Sequence, residues 1–393
     1  MPAGANEGSA GSTILVVDDN AMNRDLLSRR LQRDGHTVVV AEDGRAALDR
    51  VASTAFDLVL LDIMMPGLTG YEVLEQMKRD PALEHIPVVM ITAATEEESI
   101  VRCLALGADD HLPKPFNPAI LRARVGSSLA KKKLRDRERV HARSLERELE
   151  IGREIQAGFL PDELPRVHGY EIATCFRPAR QVAGDFFDVF ALPGNRVGIV
   201  LADVCGKGVG AALFMALFRT LLRALAAPRI GAGAALEDGL GETMLATNDY
   251  IATVHGRANM FATVFFAVLD PASGELRYVN AGHDAPVMMG ADGVRARLAA
   301  SGPAMGLLPG LEFRVERARL EVGETLLAFT DGVVDARDER GMRFDEDGLL
   351  ALLHDTPSSA NELLARVERV LTQHIGAAEQ FDDVAMLAVR RAS

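Results

Sequence analysis

The sequence predicts a multidomain protein: an α/β domain with a doubly wound, five-stranded parallel sheet, then a helical connector and an α+β layered sandwich. In residues 13–125, short apolar runs alternate with helical patterns, as in a parallel sheet with helices on both faces. Residues 126–160 are rich in charge, with scattered apolar side chains. In residues 161–393, runs of strands and runs of helices are grouped separately, which indicates an α+β domain.

Composition indicates a soluble globular protein of the reducing cytosol. The chain has 393 residues, of which 48% are hydrophobic and 25% charged, which fits two or three domains. Its cysteines, Cys103, Cys175 and Cys205, are odd in number and widely separated, so neither a disulfide framework nor a zinc site is expected. We therefore expect a cytoplasmic protein.

Three further classes of segment or partner are not expected. Residues 1–12 are rich in Gly, Ala and Ser without a basic start, which is typical of a disordered tail and not of a signal peptide. The apolar stretch Ala211–Ala227 is short and interrupted by Arg219 and Arg223, so no membrane segment is expected. The net charge of −13 disfavours nucleic-acid binding, which depends on neutralising phosphates.

The first domain shows five strands and five helices. The predicted strands are Ile14–Val17, Val38–Val40, Leu58–Leu61, Val88–Ile91 and a short one around Leu112. The predicted helices are Asn23–Arg33, Gly44–Ala52, Gly70–Arg79, Glu97–Leu106 and a last one that begins at Asn117. Ligands of such folds bind at the carboxyl ends of the strands, which is where candidate site residues are expected.

Those strand ends carry three carboxylates, a hydroxyl and an ammonium group: Asp18, Asp19, Asp62, Thr92 and Lys114. This set suits phosphoryl transfer to an aspartate. The acids can hold Mg²⁺, the ammonium can neutralise phosphoryl oxygens, and the hydroxyl can hydrogen-bond them. The simpler alternative is a helix-capping acid pair and a solvated turn lysine.

The pattern resembles the receiver domain of two-component response regulators. The most specific pieces are Asp62-Ile63-Met64-Met65-Pro66-Gly67 and Lys114-Pro115-Phe116. The resemblance implies Asp62 as phosphoacceptor, Mg²⁺ ligation by Asp18, Asp19, Asp62 and Met64, phosphoryl binding by Thr92 and Lys114, and a cognate sensor histidine kinase. Two departures lie beside the site: His111 stands where receivers usually have an aromatic switch residue, and Pro113 precedes Lys114.

In the second domain, four predicted strand edges each carry an aspartate: Asp185, Asp203, Asp331 and Asp382. Carboxylates brought together repel one another unless cations neutralise them, and hard cations such as Mg²⁺ or Mn²⁺ prefer oxygen ligands. The pattern therefore predicts a two-metal hydrolytic site. For any single one of these acids, ordinary Asp-Gly turn chemistry is the alternative.

The second domain resembles the SpoIIE/RsbU-type PPM (PP2C-like) serine/threonine phosphatases. The motifs that carry the resemblance are Ala183-Gly184-Asp185-Phe186-Phe187-Asp188, Ala202-Asp203-Val204-Cys205-Gly206-Lys207-Gly208, Asn280-Ala281-Gly282-His283, Thr330-Asp331-Gly332 and Asp382-Asp383-Val384. Family members commonly have Gly at position 183 and often Ser at position 205, and both changes spare the carboxylates. The resemblance implies an α-β-β-α sandwich of two antiparallel sheets flanked by helices.

The same resemblance implies a ligand set for two Mn²⁺ or Mg²⁺ ions. Asp203 bridges both ions, Asp185 and Asp331 each bind one, Asp382 is the fourth acid, and the Val204 carbonyl completes the set. It also implies direct attack of water on phosphorus, with no nucleophilic side chain.

Three neighbouring residues are expected to have supporting roles. Asp188 and Asp383 are interpreted as second-layer or structural acids, while His283 is either a general acid or a structural histidine. Gly206-Lys207-Gly208 is not a nucleotide-binding P-loop, because the defining upstream glycine and following hydroxyl are missing.

The connector, residues 127–156, is predicted to be helical. Its apolar residues do not keep a regular heptad, so a coiled-coil dimer and a lone solvated helix both remain open. The segment Ile155–Pro161 is similar to the start of SpoIIE-type domains, where a helix often reports regulatory input.

Two functions follow. The leading hypothesis is a homodimeric response regulator with a phosphatase output that acts on a phosphorylated anti-sigma-factor antagonist of the STAS type. The alternative is a catalytically silent adaptor that binds a partner when the receiver is phosphorylated. A nucleotide cyclase output would need a nucleotide-binding motif, which the sequence lacks.

Overall fold

The computed structural model describes residues 11–93, 97–231, 236–354 and 358–392. The chain divides into two compact units, Met1–Leu145 and Glu146–Ser393. The tail predicted for residues 1–12 lies outside the described residues except for Gly11 and Ser12.

The first unit contains one five-stranded parallel sheet. Its strands are β1 (Thr13–Val17), β2 (Thr37–Ala41), β3 (Leu58–Asp62), β4 (Val88–Ala93) and β5 (Asp110–Lys114). Their order across the sheet is β2-β1-β3-β4-β5. The predicted five-stranded doubly wound sheet is confirmed, and each strand contains the apolar run that predicted it.

Five helices connect and follow these strands. They are α1 (Ala21–Arg33), α2 (Gly44–Ser53), α3 (Gly70–Arg79), α4 (Glu97–Ala105) and α5 (Pro118–Ala157). Helix α1 begins two residues before the predicted start, because the Asn20 side chain accepts hydrogen bonds from the backbone N–H groups of Met22 and Asn23. Thr69 and Glu72 form a reciprocal capping box at the start of α3.

Both faces of this sheet are buried. Along β1, Leu15 and Val17 pack into the core on one face, and Ile14 and Val16 pack into the core on the other. Successive strand residues point to opposite faces, so a strand covered by helices on both sides needs a continuous apolar run. This explains why the central strands lack a polar alternation.

The connector is not a separate helix. Helix α5 runs without interruption from Pro118 to Ala157, so the predicted domain boundary between residues 125 and 126 lies inside this helix. Leu121 and Val125 in its first part are buried, whereas Leu134 and Val140 further along are 59% and 67% exposed. The helix therefore leaves the core of the first unit and continues as an exposed, largely charged helix.

In the described residues of the second unit there are ten strands, which form two antiparallel sheets of five. The strands are β6 (Tyr170–Arg177), β7 (Phe186–Leu192), β8 (Arg196–Val204), β9 (Ala262–Asp270), β10 (Glu275–Ala281), β11 (Val287–Gly290), β12 (Gly293–Arg297), β13 (Glu316–Arg319), β14 (Thr325–Phe329) and β15 (Val384–Arg391). One sheet has the order β13-β10-β9-β8-β7 and the other β12-β11-β14-β15-β6. Strands β11 and β12 are not predicted from the sequence, and of β7 only the edge that carries Asp185 is predicted.

Helices cover the outer face of each sheet. They are α6 (Val209–Gly231), α7 (Leu236–Val254), α8 (Asp331–Val334), α9 (Asp345–Leu350) and α10 (Ala360–Ile375), with a 3₁₀ turn at Gly256–Ala258. Helices α6 and α7 pack on the β7–β10 side, and α8 to α10 pack on the β14–β15 side. A third core, which includes Leu201, Phe265 and Leu387, lies between the sheets. The predicted α-β-β-α sandwich is confirmed.

Helix α6 is longer than the apolar stretch that predicted it. With 23 residues it is, by length and composition alone, one helix that could cross a membrane. Its Met215, Phe218 and Leu222 side chains lie in the core of the second unit, and its Arg219 pairs with buried Asp188. These contacts are those of a core helix in a globular domain.

Candidate functional site

Three acids of the first unit meet at the carboxyl ends of β1 and β3. Ligand oxygens of Asp18, Asp19 and Asp62 lie within 4.8 Å of one another. Asp18 and Asp62 are buried, whereas Asp19 is exposed. The Lys114 Nζ atom lies 3.1 Å from Asp18 Oδ2 and 2.9 Å from Asp62 Oδ2. The structure thus brings four of the predicted residues together at one strand-end site.

Neighbouring backbone and side chains fix this acid cluster. The Asn20 backbone N–H and the Asn23 side-chain amide both donate to Asp18. Gly70 packs so closely that a Cβ atom there would lie 2.1 Å from the Asp62 carbonyl oxygen. Any other residue at position 70 would therefore displace the β3 strand end that carries Asp62.

Charge and solvation at this cluster suit a cation and a phosphoryl group. Burial raises the pKa of Asp62, although the hydrogen bond and charge of Lys114 act against that rise. Burial works against the charge on Lys114, but the hydrogen bonds to Asp62 and Asp18 prevail and raise its pKa. Thr92 is buried, and among the described residues its hydroxyl has no hydrogen-bond partner. A free hydroxyl at this position can bond an oxygen of an incoming group.

The other two residues named at this site lie at its margin. Met64 is 75% exposed, and the proposed ligand atom of this residue is its backbone carbonyl oxygen. His111, at the position of the usual aromatic switch residue, lies on β5 with its Nδ1 atom 3.8 Å from Asp110 Oδ1.

The acids of the second unit come from both sheets and meet at one end of the sandwich. Asp203 is the penultimate residue of β8, and Asp185 directly precedes β7, which pairs with β8 through Phe186 opposite Ala202. Asp331 begins α8 after β14, and Asp382 lies two residues before β15. The antiparallel pairings place the two acids of each sheet next to each other.

These carboxylates raise one another's pKa. Burial and the charge of Asp203 raise the pKa of Asp185 well above its usual range. Burial also raises the pKa of Asp203, with an opposing hydrogen bond to Asp185 and a further rise from the charge of Asp382. Burial and the charges of Asp203 and Asp382 raise the pKa of Asp331 to about 7. Cations would relieve this repulsion.

Further observations show that the residues fit hard cations. Asp185 is 3% exposed, and in the described part of the chain its Oδ2 atom has no hydrogen-bond partner. A Cβ atom at Gly184 would lie 2.7 Å from the Val204 carbonyl oxygen, so glycine is needed where that oxygen approaches. The donors are all oxygens, as Mg²⁺ and Mn²⁺ prefer. Among the described residues, however, only the acids of the first unit lie within 4.8 Å of one another as a group of three.

The supporting acids have different partners. Asp383 accepts backbone hydrogen bonds from Ala179 and Gly184, at 2.7 and 2.8 Å, and so holds the loop that carries Asp185. Asp188, inside β7, instead pairs with Arg219 and Arg223 of α6 at 3.2 and 3.0 Å.

His283 lies beside the acids in a buried position. Its Nδ1 atom is 2.9 Å from the Thr263 hydroxyl, and its backbone N–H donates to Asn280. Burial lowers the pKa of His283 to about 4, so the ring is neutral at pH 7.

A cavity of about 740 Å³ opens beside the acids. Asp203, Asp331 and His283 lie on one side of it, and Arg297 and Arg343 also line it. Arg343 pairs with Asp335 and Arg297 with Glu346. The cavity can admit a phosphorylated side chain, with arginines to contact it.

Comparison with known proteins identifies the family. The family model described as Stage II sporulation protein E (SpoIIE) matches residues 193–392, about half of the chain. The chain belongs to the SpoIIE family. The model of the response regulator receiver domain matches residues 14–126. The architecture is therefore a receiver domain joined to a SpoIIE domain.

Individual relatives cover one or both parts of the chain. Protein IcfG of Synechocystis sp. is 40% identical over 262 residues, which are 62% of this chain and 41% of IcfG. The phosphate regulon transcriptional regulatory protein PhoB of Pseudomonas aeruginosa is 40% identical over 119 residues, 30% of this chain and 52% of PhoB. The chain thus spans about half or less of the length of these relatives.

A solved structure shares the fold of the SpoIIE domain. The SiaA-PP2C domain of Pseudomonas aeruginosa aligns with a TM-score of 0.54 and 20% identity, over 64% of this chain and 98% of that domain. At this identity the likeness shows the fold alone.

Two residues at the SpoIIE site are not predicted from the sequence. Gln156, near the end of α5, donates from Nε2 to the Ala183 carbonyl and accepts from the Ala183 N–H, at 2.7 and 2.9 Å. Lys207 Nζ lies 2.7 Å from Asp382 Oδ2. In the sequence, the only signal for Gln156 is its place in the family-like segment Ile155–Pro161. The only signal for Lys207 is its place in Gly206-Lys207-Gly208, which is not a P-loop.

Proposed function

We propose that this protein is a response regulator in which phosphorylation of Asp62 controls a metal-dependent phosphoserine and phosphothreonine protein phosphatase. The observation that carries the proposal is the convergence of Asp185, Asp203, Asp331 and Asp382 from both sheets, together with the raised pKa values of Asp185, Asp203 and Asp331. Such a set of acids is stable in its ionised form only beside cations.

Each acid has a proposed role at the phosphatase centre. Asp203 bridges two ion positions, Asp185 and Asp331 hold one each, and Asp382 and the Val204 carbonyl complete the set. Bound Mg²⁺ or Mn²⁺ would activate a water and stabilise charge on the phosphoryl oxygens. The protein itself positions the phosphorylated side chain in the adjoining cavity, where Arg297 and Arg343 can contact the substrate.

The receiver is the proposed input. Asp62 accepts a phosphoryl group from a sensor histidine kinase, with Mg²⁺ held by Asp18, Asp19, Asp62 and the Met64 carbonyl. Lys114 already contacts Asp62 at 2.9 Å and can neutralise a phosphoryl oxygen, while the Thr92 hydroxyl can donate to another.

The coupling between input and output is proposed to run through α5. This helix begins in the first unit, and its penultimate residue is Gln156, whose side-chain amide hydrogen-bonds Ala183 two residues before Asp185. A change in the packing or pairing of α5 would therefore move the loop that carries a metal ligand. We favour activation through homodimerisation of α5.

The proposed substrate is a phosphorylated STAS-type anti-sigma-factor antagonist in the cytoplasm. The family membership supports this class of substrate, and the retention of every metal-site acid argues for a catalytic rather than an adaptor role.

The test is a comparison of wild type, Asp203→Asn and Asp292→Asn. Asp292 is an exposed turn residue, so its substitution is a matched change of charge away from the site. Phosphoproteomes of the three strains should show one or a few phosphoserine or phosphothreonine proteins that accumulate only with Asp203→Asn. The purified variant should lose Mn²⁺-dependent hydrolysis of that substrate while keeping a wild-type circular dichroism spectrum. Full activity of Asp203→Asn, or wild-type activity in excess chelator, would refute the two-metal phosphatase.

A further inference from the structure

The side chain of Lys207 contacts Asp382, the fourth acid of the proposed phosphatase centre. Its Nζ atom lies 2.7 Å from Asp382 Oδ2 and donates to the Phe381 carbonyl at 2.8 Å. The same ammonium group lies 4.7 Å from the centre of the Phe381 ring. Lys207 thus makes three contacts with Phe381 and Asp382, two residues of the loop before β15.

The backbone around Lys207 delivers this side chain. Gly206 and Gly208 on either side have φ values of 90° and 82°, a left-handed conformation that glycine adopts without strain. The turn directly follows Asp203 and Val204, so the ammonium group starts from the strand end that carries the proposed bridging ligand. The sequence therefore places a cation within the metal centre itself.

A lysine and a divalent cation cannot both bind one carboxylate with the affinity that each would have alone. Both are attracted to the negative charge of the Asp382 carboxylate, and like charges a few ångströms apart repel each other. The Lys207 and Asp382 side chains are 33% and 26% exposed, so solvent screens this repulsion only in part.

We propose that Lys207 is a positioning residue for Asp382: it holds this carboxylate in the ion-free enzyme and competes with the divalent cation that Asp382 would bind. The inference rests on the proposed metal centre and adds a control on its occupancy. Metal binding at this acid requires that the Lys207 ammonium group leave it, so the residue lowers the affinity of that ion.

Arg337 provides a matched control. Its guanidinium carbon lies 3.9 Å from the centre of the same Phe381 ring, and it carries the same charge as Lys207. Among the described residues, Arg337 contacts the Phe381 ring and pairs through its backbone with Arg343, and it forms no ion pair with Asp382. A substitution at Arg337 thus removes a nearby positive charge without removing the contact to Asp382.

The test is calorimetric titration of the chelator-treated full chain with MnCl₂. Lys207→Gln should raise the affinity of the phosphatase ion that Asp382 would bind about tenfold, Arg337→Gln should change it less than twofold, and Lys207→Arg should resemble wild type. In an Asp382→Asn background, Lys207→Gln should cause no further change in Mn²⁺ affinity. This comparison also distinguishes the phosphatase ion from any Mn²⁺ bound by the receiver acids. A purely structural role would lower the affinity, so the direction of the change is diagnostic.

Thermal unfolding gives a second readout. Lys207→Gln should lower the melting temperature of the metal-free protein more than that of the Mn²⁺-loaded protein. Equal affinity gains from Lys207→Gln and Arg337→Gln, or an undiminished gain without Asp382, would overturn the inference while leaving the metal centre in place. If Asp203→Asn binds as much Mn²⁺ as wild type, the proposed function is overturned, and the inference with it.

Discussion

The Gln156 side-chain amide forms two hydrogen bonds with the backbone of Ala183, one through each of its polar atoms. Gln156 is 7% exposed and Ala183 is fully buried, so water cannot replace either bond. Gly184 and Asp185 follow directly, and Asp383 holds Gly184 from the other side. The end of α5 and the loop before β7 are therefore fixed to each other at the edge of the proposed metal centre.

Gln156→Ala should reduce kcat by roughly tenfold to a hundredfold, because small displacements of a ligand-bearing loop are costly for catalysis. The buried Ala183 N–H and carbonyl would be left without partners, which should lower the free energy of unfolding by about 1–3 kcal/mol. Steady-state kinetics and chemical denaturation measure the two effects. Glu154→Gln, at an exposed position on the same helix, is the control. An unchanged kcat in Gln156→Ala would remove this residue from the coupling.

The stability of the metal-free protein should depend on pH through Asp331. Its pKa is raised from 3.8 to about 7 in the folded state, so between these values the folded state binds more protons than the unfolded state. Stability should therefore fall as pH rises from about 4 to about 7 and then level off. Melting temperatures in chelator across this range test the expectation.

Asp331→Asn should weaken that pH dependence without abolishing it, because the pKa values of Asp185 and Asp203 are raised as well, whereas Asp292→Asn should leave it unchanged. Saturating Mn²⁺ should also reduce the dependence, because bound cations stabilise the ionised carboxylates. A metal-free wild type that becomes more stable between pH 4 and pH 7 would contradict the raised pKa values.

His283 should not contribute an ionisation to catalysis near neutral pH. Burial lowers its pKa to about 4, so the ring stays neutral from pH 6 to pH 8. The pH profile of kcat over this range should keep its shape in His283→Gln, even if its height changes. The appearance or loss of an ionisation between pH 6 and pH 8 in the variant would show that His283 acts as a cationic general acid.

Several acids of both sites could be predicted from the sequence because they lie at the ends of apolar strands. An apolar run that ends in Asp18, Asp62 or Asp203 specifies both the strand and the place where it delivers a carboxylate. The sheet then brings such ends together without further information.

The remaining residues could not be predicted because their partners are distant in the sequence. Gln156 contacts a backbone 27 residues away, and Lys207 contacts one 174 residues away. Neither contact leaves a local pattern, since Gln and Lys are common on helices and turns. Strands β11 and β12 are four and five residues long, so their alternation is too brief to recognise.

The receiver should carry one phosphoacceptor. A small phosphodonor with Mg²⁺ should label wild type and Asp25→Asn equally, because Asp25 is an exposed residue of α1. Asp62→Asn should lose the label, and hydroxylamine should release it from wild type, as expected for an acyl phosphate. Labelling that survives Asp62→Asn would place the acceptor elsewhere.

Phosphorylation of Asp62 should raise both the mass in solution and the phosphatase turnover of the full chain. The phosphoryl group adds about one and a half to two negative charges beside Thr92 and Lys114 and can reorganise the surface that leads into α5. The exposed Leu134 and Val140 of α5 offer apolar area for a second copy of the helix. Leu134→Ser combined with Val140→Ser should therefore abolish dimer formation and the rise in turnover together.

Val294→Ser with Val322→Ser, which changes exposed valines of the SpoIIE domain, is the matched control. Light scattering and turnover on a phosphoprotein substrate, with and without phosphodonor, measure both effects. Equal turnover in the phosphorylated and unphosphorylated full chain would show that the receiver does not control the phosphatase.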